Sequence, residues 1–263
     1  MRHYGITTAL DMGTYPYSTL SACKGPGLTD VRGTGAAATV NGTAISQAPG
    51  LPIDSFVSTT AAARHFVLAA IVKSAHQEDK LVITHATTYA AYGTAVKTGV
   101  DIVCHAPLDD PVDASSIAKL IKNKSTVVPT LIMLQSIVNN TGAPLYVYTD
   151  TAEASVTQMN NGGVPILVGS DSNTSPLVPA NPPFGVSFHD ELELLVAAGL
   201  SPVQALRGST SLAASTFRLF DRGAIRTGLR ADLVLLRADP TTDIRNAWSI
   251  EKVWIGGVQT DIK

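Results

Sequence analysis

Short apolar runs alternate with amphipathic stretches along most of this chain, and this alternation limits the folds that it can adopt. The apolar runs are rich in β-branched residues, and each is long enough for one buried strand. They occupy residues 5–10, 81–84, 100–103, 126–128 and 164–168. The amphipathic stretches occupy residues 65–76, 89–97, 114–122, 151–160 and 190–198. Such alternation predicts βα units around a parallel sheet, arranged either as a barrel or as an open, doubly wound sheet.

The composition agrees with many buried strands and excludes several classes of partner. Only 15% of the residues are charged and 45% are hydrophobic, which suits a sheet that is covered on both faces. The net charge is −2 and no basic cluster occurs, so nucleic acid is not an expected partner. No apolar stretch reaches the roughly 20 residues that cross a bilayer, and no apolar signal core follows Met1. We therefore expect no membrane partner, and the cytoplasm is the default location.

Two segments interrupt the alternation. Residues 33–60 are rich in Gly, Ala, Thr, Ser and Pro and predict a long loop. Near the carboxyl terminus, residues 232–236 and 250–255 have the pattern of strands, and Asp-Pro and Gly-Gly turns follow them. Because no helical pattern separates these two strands, we predict a small antiparallel sheet after the βα region.

Polar residues follow three of the predicted strands at the point where each strand ends. They are His85, His105 and Asp171. The carboxyl ends of parallel strands meet on one side of a sheet, where active sites form, and imidazole with carboxylate is a ligand set of Zn, Mn or Fe. The alternatives are a hydrogen-bonded structural histidine and an aspartate that starts a turn. Spacing alone leaves both interpretations open, but no phosphate-binding glycine loop follows any strand, which disfavours a nucleotide-binding domain.

The motifs around these strands resemble the amidohydrolase superfamily, and more narrowly its imidazolonepropionase-like and prolidase-like branch. The resemblance covers nearly the whole chain in the order of the family. It is carried by residues 5–13, 83–86, 99–109, 163–171, 187–199, 221–225 and 228–234. It implies an α/β fold, namely an incomplete TIM-type (β/α)8 barrel over residues 1–222. Residues 223–263 would form the remnant of a flanking β-sandwich.

The resemblance also assigns roles to individual residues. His85 and His105 match two histidines that bind one metal. Asp171 matches an aspartate that binds metal and moves the proton of the attacking water. His189, at the start of a predicted helix, is expected either to contact substrate or to cap the helix. The implied cofactor is one divalent metal, zinc before Mn or Fe, and the implied partner is a small-molecule substrate.

The chain also departs from the family pattern in two places. No segment resembles the His-x-His pair of the first strand, and the fourth strand with its metal-bridging lysine is missing between Val67 and Leu68. Lys73 lies in the following helix and does not replace that lysine. These departures predict a truncated chain with exposed sheet edges, for which a homo-oligomer is one outcome.

Two functions follow as expectations. The first is hydrolysis of a carbon–nitrogen bond, in a dipeptide-like, non-peptide or cyclic amide, by a metal-activated water. The alternative is a catalytically inactive fragment or degenerate paralogue of such an enzyme.

Overall fold

A computed structural model describes most of the chain. It covers residues 1–13, 20, 24–34, 37–39, 61–145, 147–176 and 178–262. The larger part of the predicted loop over residues 33–60 therefore lies outside the described residues.

Three short parallel strands carry the middle of the fold. They are β3 (Ile83–His85), β4 (Ile102–Cys104) and β5 (Thr126–Val128), and they pair in that order. All three residues of β4 are buried, as expected for an apolar strand with a neighbour on each side. The predicted parallel sheet and the α/β class are confirmed for this region.

The helices that connect these strands begin and end at residues suited to those positions. Helix α2 (Tyr89–Thr98) begins after Thr88, whose side chain accepts a hydrogen bond from the backbone N–H of Ala91, and it ends at Gly99 in the left-handed conformation. Helix α3 (Ala114–Asn123) begins after Asp113, whose side chain accepts from the backbone N–H of Ser116. Both helices match the predicted amphipathic stretches to within about one residue.

Helix α1 (Ala61–Gln77) runs without interruption through Val67 and Leu68. The resemblance placed the missing fourth strand at this point, so that residues 61–67 would precede it as one helix and residues 68–76 would follow it as another. The structure joins them into one helix, which the absence of any Gly or Pro between residues 61 and 77 permits.

The fourth segment of the parallel sheet, which lies next to β5, is less regular than predicted. Residues 164–168 pair with β5 through a single parallel bridge between Val127 and Ile166. The backbone N–H of Leu167 donates to the carbonyl of Val127, and that of Val127 donates to the carbonyl of Pro165. Pro165 has no N–H of its own, which limits the ladder at this segment. The prediction of a full strand here is therefore corrected to a bridge.

The helices after β5 were predicted only in part. Those in the predicted positions are α5 (Ala154–Asn161), which follows a π-helical turn (Tyr148–Glu153), and α6 (Val186–Ala197). Three more were not predicted: α4 (Leu131–Thr141), α7 (Pro202–Gly208) and α8 (Ser211–Thr216). No helix in these described parts of the chain combines the length and the hydropathy that a bilayer span requires.

A separate parallel pair lies near the amino terminus. Strand β1 (Thr8–Asp11) pairs with β2 (Asp30–Gly33). The predicted strand began at Gly5, but Gly5 has a φ of 72° and closes a 3-10 turn, so the strand starts later. Strand β2 was not predicted.

The carboxyl-terminal strands form the predicted antiparallel sheet. Strand β7 (Ile250–Ile255) lies between β6 (Leu233–Leu236) and β8 (Val258–Thr260). A 3-10 turn (Ile244–Trp248) stands between β6 and β7, where no helix was predicted. This turn packs on α6, because Ile244 joins Leu192 in a buried apolar cluster. The boundary between residues 222 and 223 stays a prediction.

Gly208, the last residue of α7, allows this helix to approach the bridge segment closely. A Cβ atom at this position would lie 2.6 Å from the backbone oxygen of Ile166. We expect Gly208→Ala to lower the free energy of unfolding by about 1–3 kcal/mol, because the neighbouring atom is backbone and cannot rotate away. Gly93→Ala in α2 is the matched control: its Cβ meets nothing within 4 Å, so a gain of about 0.5–1 kcal/mol is expected. Urea denaturation measures both, and unchanged stability of Gly208→Ala would contradict the close approach.

Candidate metal centre

The polar residues predicted at the strand ends lie at one edge of the parallel sheet. His85 is the last residue of β3, and His105 directly follows β4. The loops after these strands are tied together: the backbone N–H of Ala86 donates to the carbonyl of Cys104, and that of Leu108 donates to the carbonyl of Thr87. The parallel register therefore brings two imidazoles to the same place although 20 residues separate them in sequence.

The two imidazoles face each other. Nδ1 of His85 lies 2.7 Å from Nε2 of His105, and the ring centroids are 4.9 Å apart. His105 is buried, and burial together with the charge of His85 lowers its pKa to about 3. Burial likewise lowers the pKa of His85. Both rings are therefore neutral at physiological pH, which is the form that binds a metal.

His105 adopts a backbone conformation that is uncommon for a residue with a side chain. Its φ is 73°, and its backbone N–H donates to the carbonyl of Val128 at 2.8 Å. Residues held in the left-handed region cost free energy and concentrate at functional sites. The conformation turns the chain at the end of β4 and directs the imidazole toward His85.

Thr130 belongs to the same site, and the sequence analysis did not identify it. It follows β5 by two residues, is 3% exposed, and its Oγ1 lies 2.8 Å from Nδ1 of His105. The signal that could have found it was its position, since it is a polar residue just beyond a strand end, as His105 and Asp171 are.

Glu191 was also missed. It lies on α6, is fully buried, and accepts hydrogen bonds from the backbone N–H groups of Leu131 and Ile132 at 3.0 and 2.8 Å. Burial raises the pKa of its carboxyl to about 8, although the two hydrogen bonds act in the opposite direction. Acidic and apolar residues alternate around Glu191 in the sequence. This pattern does not indicate that the carboxyl of Glu191 is buried and that of Glu193 is not.

Asp171 follows the bridge segment, with a φ of 51°. Gly169 lets that segment approach β5, because a Cβ there would lie 2.4 Å from Cγ1 of Val128. The Asp171 side chain is accessible to water, but the protein atoms around it raise the pKa of its carboxyl to about 6 by partial desolvation. Burial and the nearby Asp171 charge raise the pKa of the Cys104 thiol to about 12, so Cys104 is a protonated core residue.

In the described part of the chain, the predicted metal ligands lie as one pair of histidines, His85 and His105, and one separate carboxylate, that of Asp171. Among the described residues, no group of three His, Cys, Asp or Glu side chains is arranged to hold a metal ion. The structure therefore brings His85 and His105 together and leaves Asp171 at the same sheet edge without closing a three-ligand set.

His189 is an interior residue of α6. It is 3% exposed, its Nε2 lies 3.0 Å from the carbonyl oxygen of Tyr4, and its ring stacks on Trp248 with centroids 4.4 Å apart. Its Nδ1 has no hydrogen-bond partner among the described residues. These contacts tie the amino terminus and the 3-10 turn to α6, and a role in substrate binding stays a prediction.

Comparisons with known sequences give one family and two short matches. The family described as "Amidohydrolase family" matches residues 1–260. Adenine deaminase 2 of Desulfotalea psychrophila is 44% identical over 69 residues, which is 26% of this chain and 11% of the deaminase. Adenine deaminase of Lysinibacillus sphaericus is 34% identical over 62 residues, or 24% of this chain and 11% of that protein. Each match thus spans about a tenth of the deaminase.

Solved structures match over almost the whole chain. A Xaa-Pro dipeptidase with bound methionine is similar with a TM-score of 0.79 and 17% identity, covering 99% of this chain and 78% of the dipeptidase. Molinate hydrolase has a TM-score of 0.71 and 18% identity, covering 99% and 73% of the two chains. Ochratoxinase of A. niger has a TM-score of 0.75 and 17% identity, covering 97% and 72%. At these identities the likeness concerns the fold alone.

Proposed function

Because the chain belongs to the amidohydrolase family, we propose that it hydrolyses a carbon–nitrogen bond with one divalent metal, held by His85, His105 and Asp171. The observation that carries the proposal is the pair of neutral imidazoles, whose nitrogens face each other 2.7 Å apart at the carboxyl ends of parallel strands. The pattern of α/β elements and the similar structures support an incomplete (β/α)8 barrel followed by a sandwich remnant as the larger framework.

The donor atoms present suit zinc, with Mn or Fe as alternatives. Neutral imidazole and carboxylate are ligands of all three metals. Two nitrogens on one tetrahedral zinc lie roughly 3.3 Å apart, so the pair of His85 and His105 must separate by a few tenths of an ångström. Asp171 would complete the set of three protein ligands that a catalytic zinc site requires.

The residues would share the reaction as follows. A bound divalent metal lowers the pKa of water and polarises a carbonyl group. Asp171 accepts the proton of the attacking water and returns it to the leaving nitrogen, as a general base and then a general acid. The substrate would be a small amide of dipeptide-like, non-peptide or cyclic kind, bound among the loops over residues 106–112 and 172–188. Loops of this kind, and not the metal ligands, select the substrate.

A catalytically inactive relative is the second candidate. It is favoured by one observation, namely that the described residues do not form a three-ligand cluster. The two candidates differ in whether the purified chain retains a metal.

Elemental analysis of the purified chain and of His105→Ala tests the proposal. We expect about one equivalent of Zn, Mn or Fe in the wild type and background levels in the variant, because His105 supplies one ligand. His76→Ala is the matched control, since His76 is an exposed histidine paired with Asp101 at 2.9 Å, and its metal content should equal that of the wild type. Metal retained in His105→Ala would contradict the ligand assignment, and a metal-free wild type would favour the inactive relative.

A further inference from the structure

The amino terminus of α4 is not capped by its own threonine. Thr130 occupies the position before the first helical residue, where a threonine hydroxyl commonly accepts a hydrogen bond from a backbone N–H of the first turn. Its side chain makes no such capping bond within the described helix. The hydroxyl instead meets Nδ1 of His105 at 2.8 Å. The φ of Thr130 is 53°, which is unusual for a β-branched residue, so the residue is held there by its surroundings.

Glu191 supplies the cap from another helix. Its Oε1 accepts from the N–H of Leu131 at 3.0 Å and its Oε2 from the N–H of Ile132 at 2.8 Å. A carboxyl at this position suits the backbone N–H groups of the first turn, which have no acceptor within the helix, and the partial positive charge of a helix start. Because Glu191 lies 60 residues from Leu131 in the chain, the cap depends on how α6 packs against α4.

We propose that Glu191 is a positioning residue which, by capping α4, leaves the Thr130 hydroxyl free to orient the imidazole of His105. Without Glu191, the N–H groups of Leu131 and Ile132 lose their acceptor, and the hydroxyl of Thr130, at the position before the first helical residue, becomes an acceptor for the N–H of Ile132. It would turn toward the helix and release His105. In so far as His105 binds a metal, the inference rests on the proposed function, because groups that orient a ligand change metal affinity by about 10–100-fold.

Four substitutions and one control separate this role from general stability. Glu191→Gln keeps the size of the side chain and loses one acceptor, whereas Glu191→Met loses both. Thr130→Val removes the hydroxyl and keeps the β-branch, and Thr130→Ser restores a hydroxyl. Glu193→Gln is the matched control, because Glu193 lies on the same helix and its carboxylate accepts from Trp248 instead of α4.

Two measurements apply to each variant. The first is zinc affinity by competition with a chelator. The second is the ¹⁵N chemical shift of the His105 ring nitrogens in metal-free protein labelled at histidine, assigned by its loss in His105→Ala. We expect Thr130→Val and Glu191→Met to weaken zinc binding by about 10–100-fold and to move the His105 shifts, and we expect Glu191→Gln to do both to a smaller extent. Thr130→Ser and Glu193→Gln should stay close to the wild type.

The double variant Thr130→Val/Glu191→Gln is the sharpest test. If Glu191 acts through Thr130, the double variant binds zinc no more weakly than Thr130→Val alone. Losses that multiply would overturn the inference. The inference would also be overturned if both Glu191 variants kept the zinc affinity and the His105 shifts of the wild type. If Glu191→Met does not fold, the result for Glu191→Gln alone decides the question.

The failure of this inference is distinct from failure of the proposed function. A wild type that binds no zinc would count against the function alone. The His105 shifts of the metal-free protein would then still decide the inference, since shifts moved by both Glu191→Gln and Thr130→Val support it and unmoved shifts overturn it.

Discussion

Replacing Asp171 by Asn is expected to lower kcat by about 10²–10⁴-fold, the range that general acid–base catalysis contributes. In the proposed mechanism, the substitution removes the group that accepts and returns the proton, together with one anionic ligand. The fold should be preserved, because the φ of Asp171 is 51° and Asn tolerates this left-handed conformation. The measurement is steady-state hydrolysis of a panel of dipeptides and small linear or cyclic amides, with thermal unfolding recorded alongside.

Asp79→Asn controls for the substitution itself. Asp79 also has a positive φ, of 53°, but it lies on the surface, where it pairs with Arg218 at 2.7 Å. The kcat of the Asp79→Asn variant should equal that of the wild type. Wild-type turnover in Asp171→Asn would remove Asp171 from the reaction and leave it a turn residue.

Replacing Arg222 by Met is expected to lower the free energy of unfolding by about 3–5 kcal/mol, as observed when one partner of a buried ion pair is removed. The Arg222 side chain is 5% exposed and lies 2.8 Å from Asp30 and 3.9 Å from Asp232. It also donates to the hydroxyl of Thr8 at 2.9 Å. Hydrogen bonds, chiefly to the Asp221 carboxylate, hold the pKa of the guanidinium above its usual value. Its loss leaves Asp30 and Asp232, which belong to separate segments, without the cation that they share, although Arg32 and Arg230 each still contact one of these carboxylates.

Urea denaturation measures this effect against two further variants. Arg222→Lys keeps the charge but not the planar fork, so an intermediate loss is expected. Arg245→Met removes an arginine that is 73% exposed, although its pair with Asp243 is short, at 2.6 Å. Exposed pairs contribute about 0–1 kcal/mol. Equal losses for Arg222→Met and Arg245→Met would show that the Arg222 cluster does not stabilise the fold.

The positions of His85 and His105 could be predicted because each depends only on where a strand ends. Both strands are short, apolar and parallel, so their last residues meet at one edge whatever the rest of the fold does. Asp171 was predicted by the same argument. Its strand is reduced to a bridge at Ile166, because Pro165 cannot donate to a ladder.

Other features depend on contacts that no local pattern encodes. Helix α4 was not predicted because it has apolar residues on more than one side, and Leu131, Met133 and Val138 are all buried. Its sequence therefore lacks the single apolar stripe of an amphipathic helix. Strand β2 contains Asp30 and Arg32, and only its pairing with β1 makes it a strand. The cap from Glu191 to α4 is equally invisible, because it joins two helices 60 residues apart.

Helix α6 contacts both ends of the chain with one face and helix α4 with the other. His189 stacks on Trp248, and Glu193, one turn later, accepts from the indole N–H of Trp248. Glu191 lies between them in sequence and therefore points to the other side, toward α4. A rotation of α6 that accommodated a different residue at position 248 would also carry the Glu191 carboxyl away from the helix that it caps. We therefore expect substitutions near Trp248 and substitutions around His105 to be coupled through α6 in the evolution of this chain.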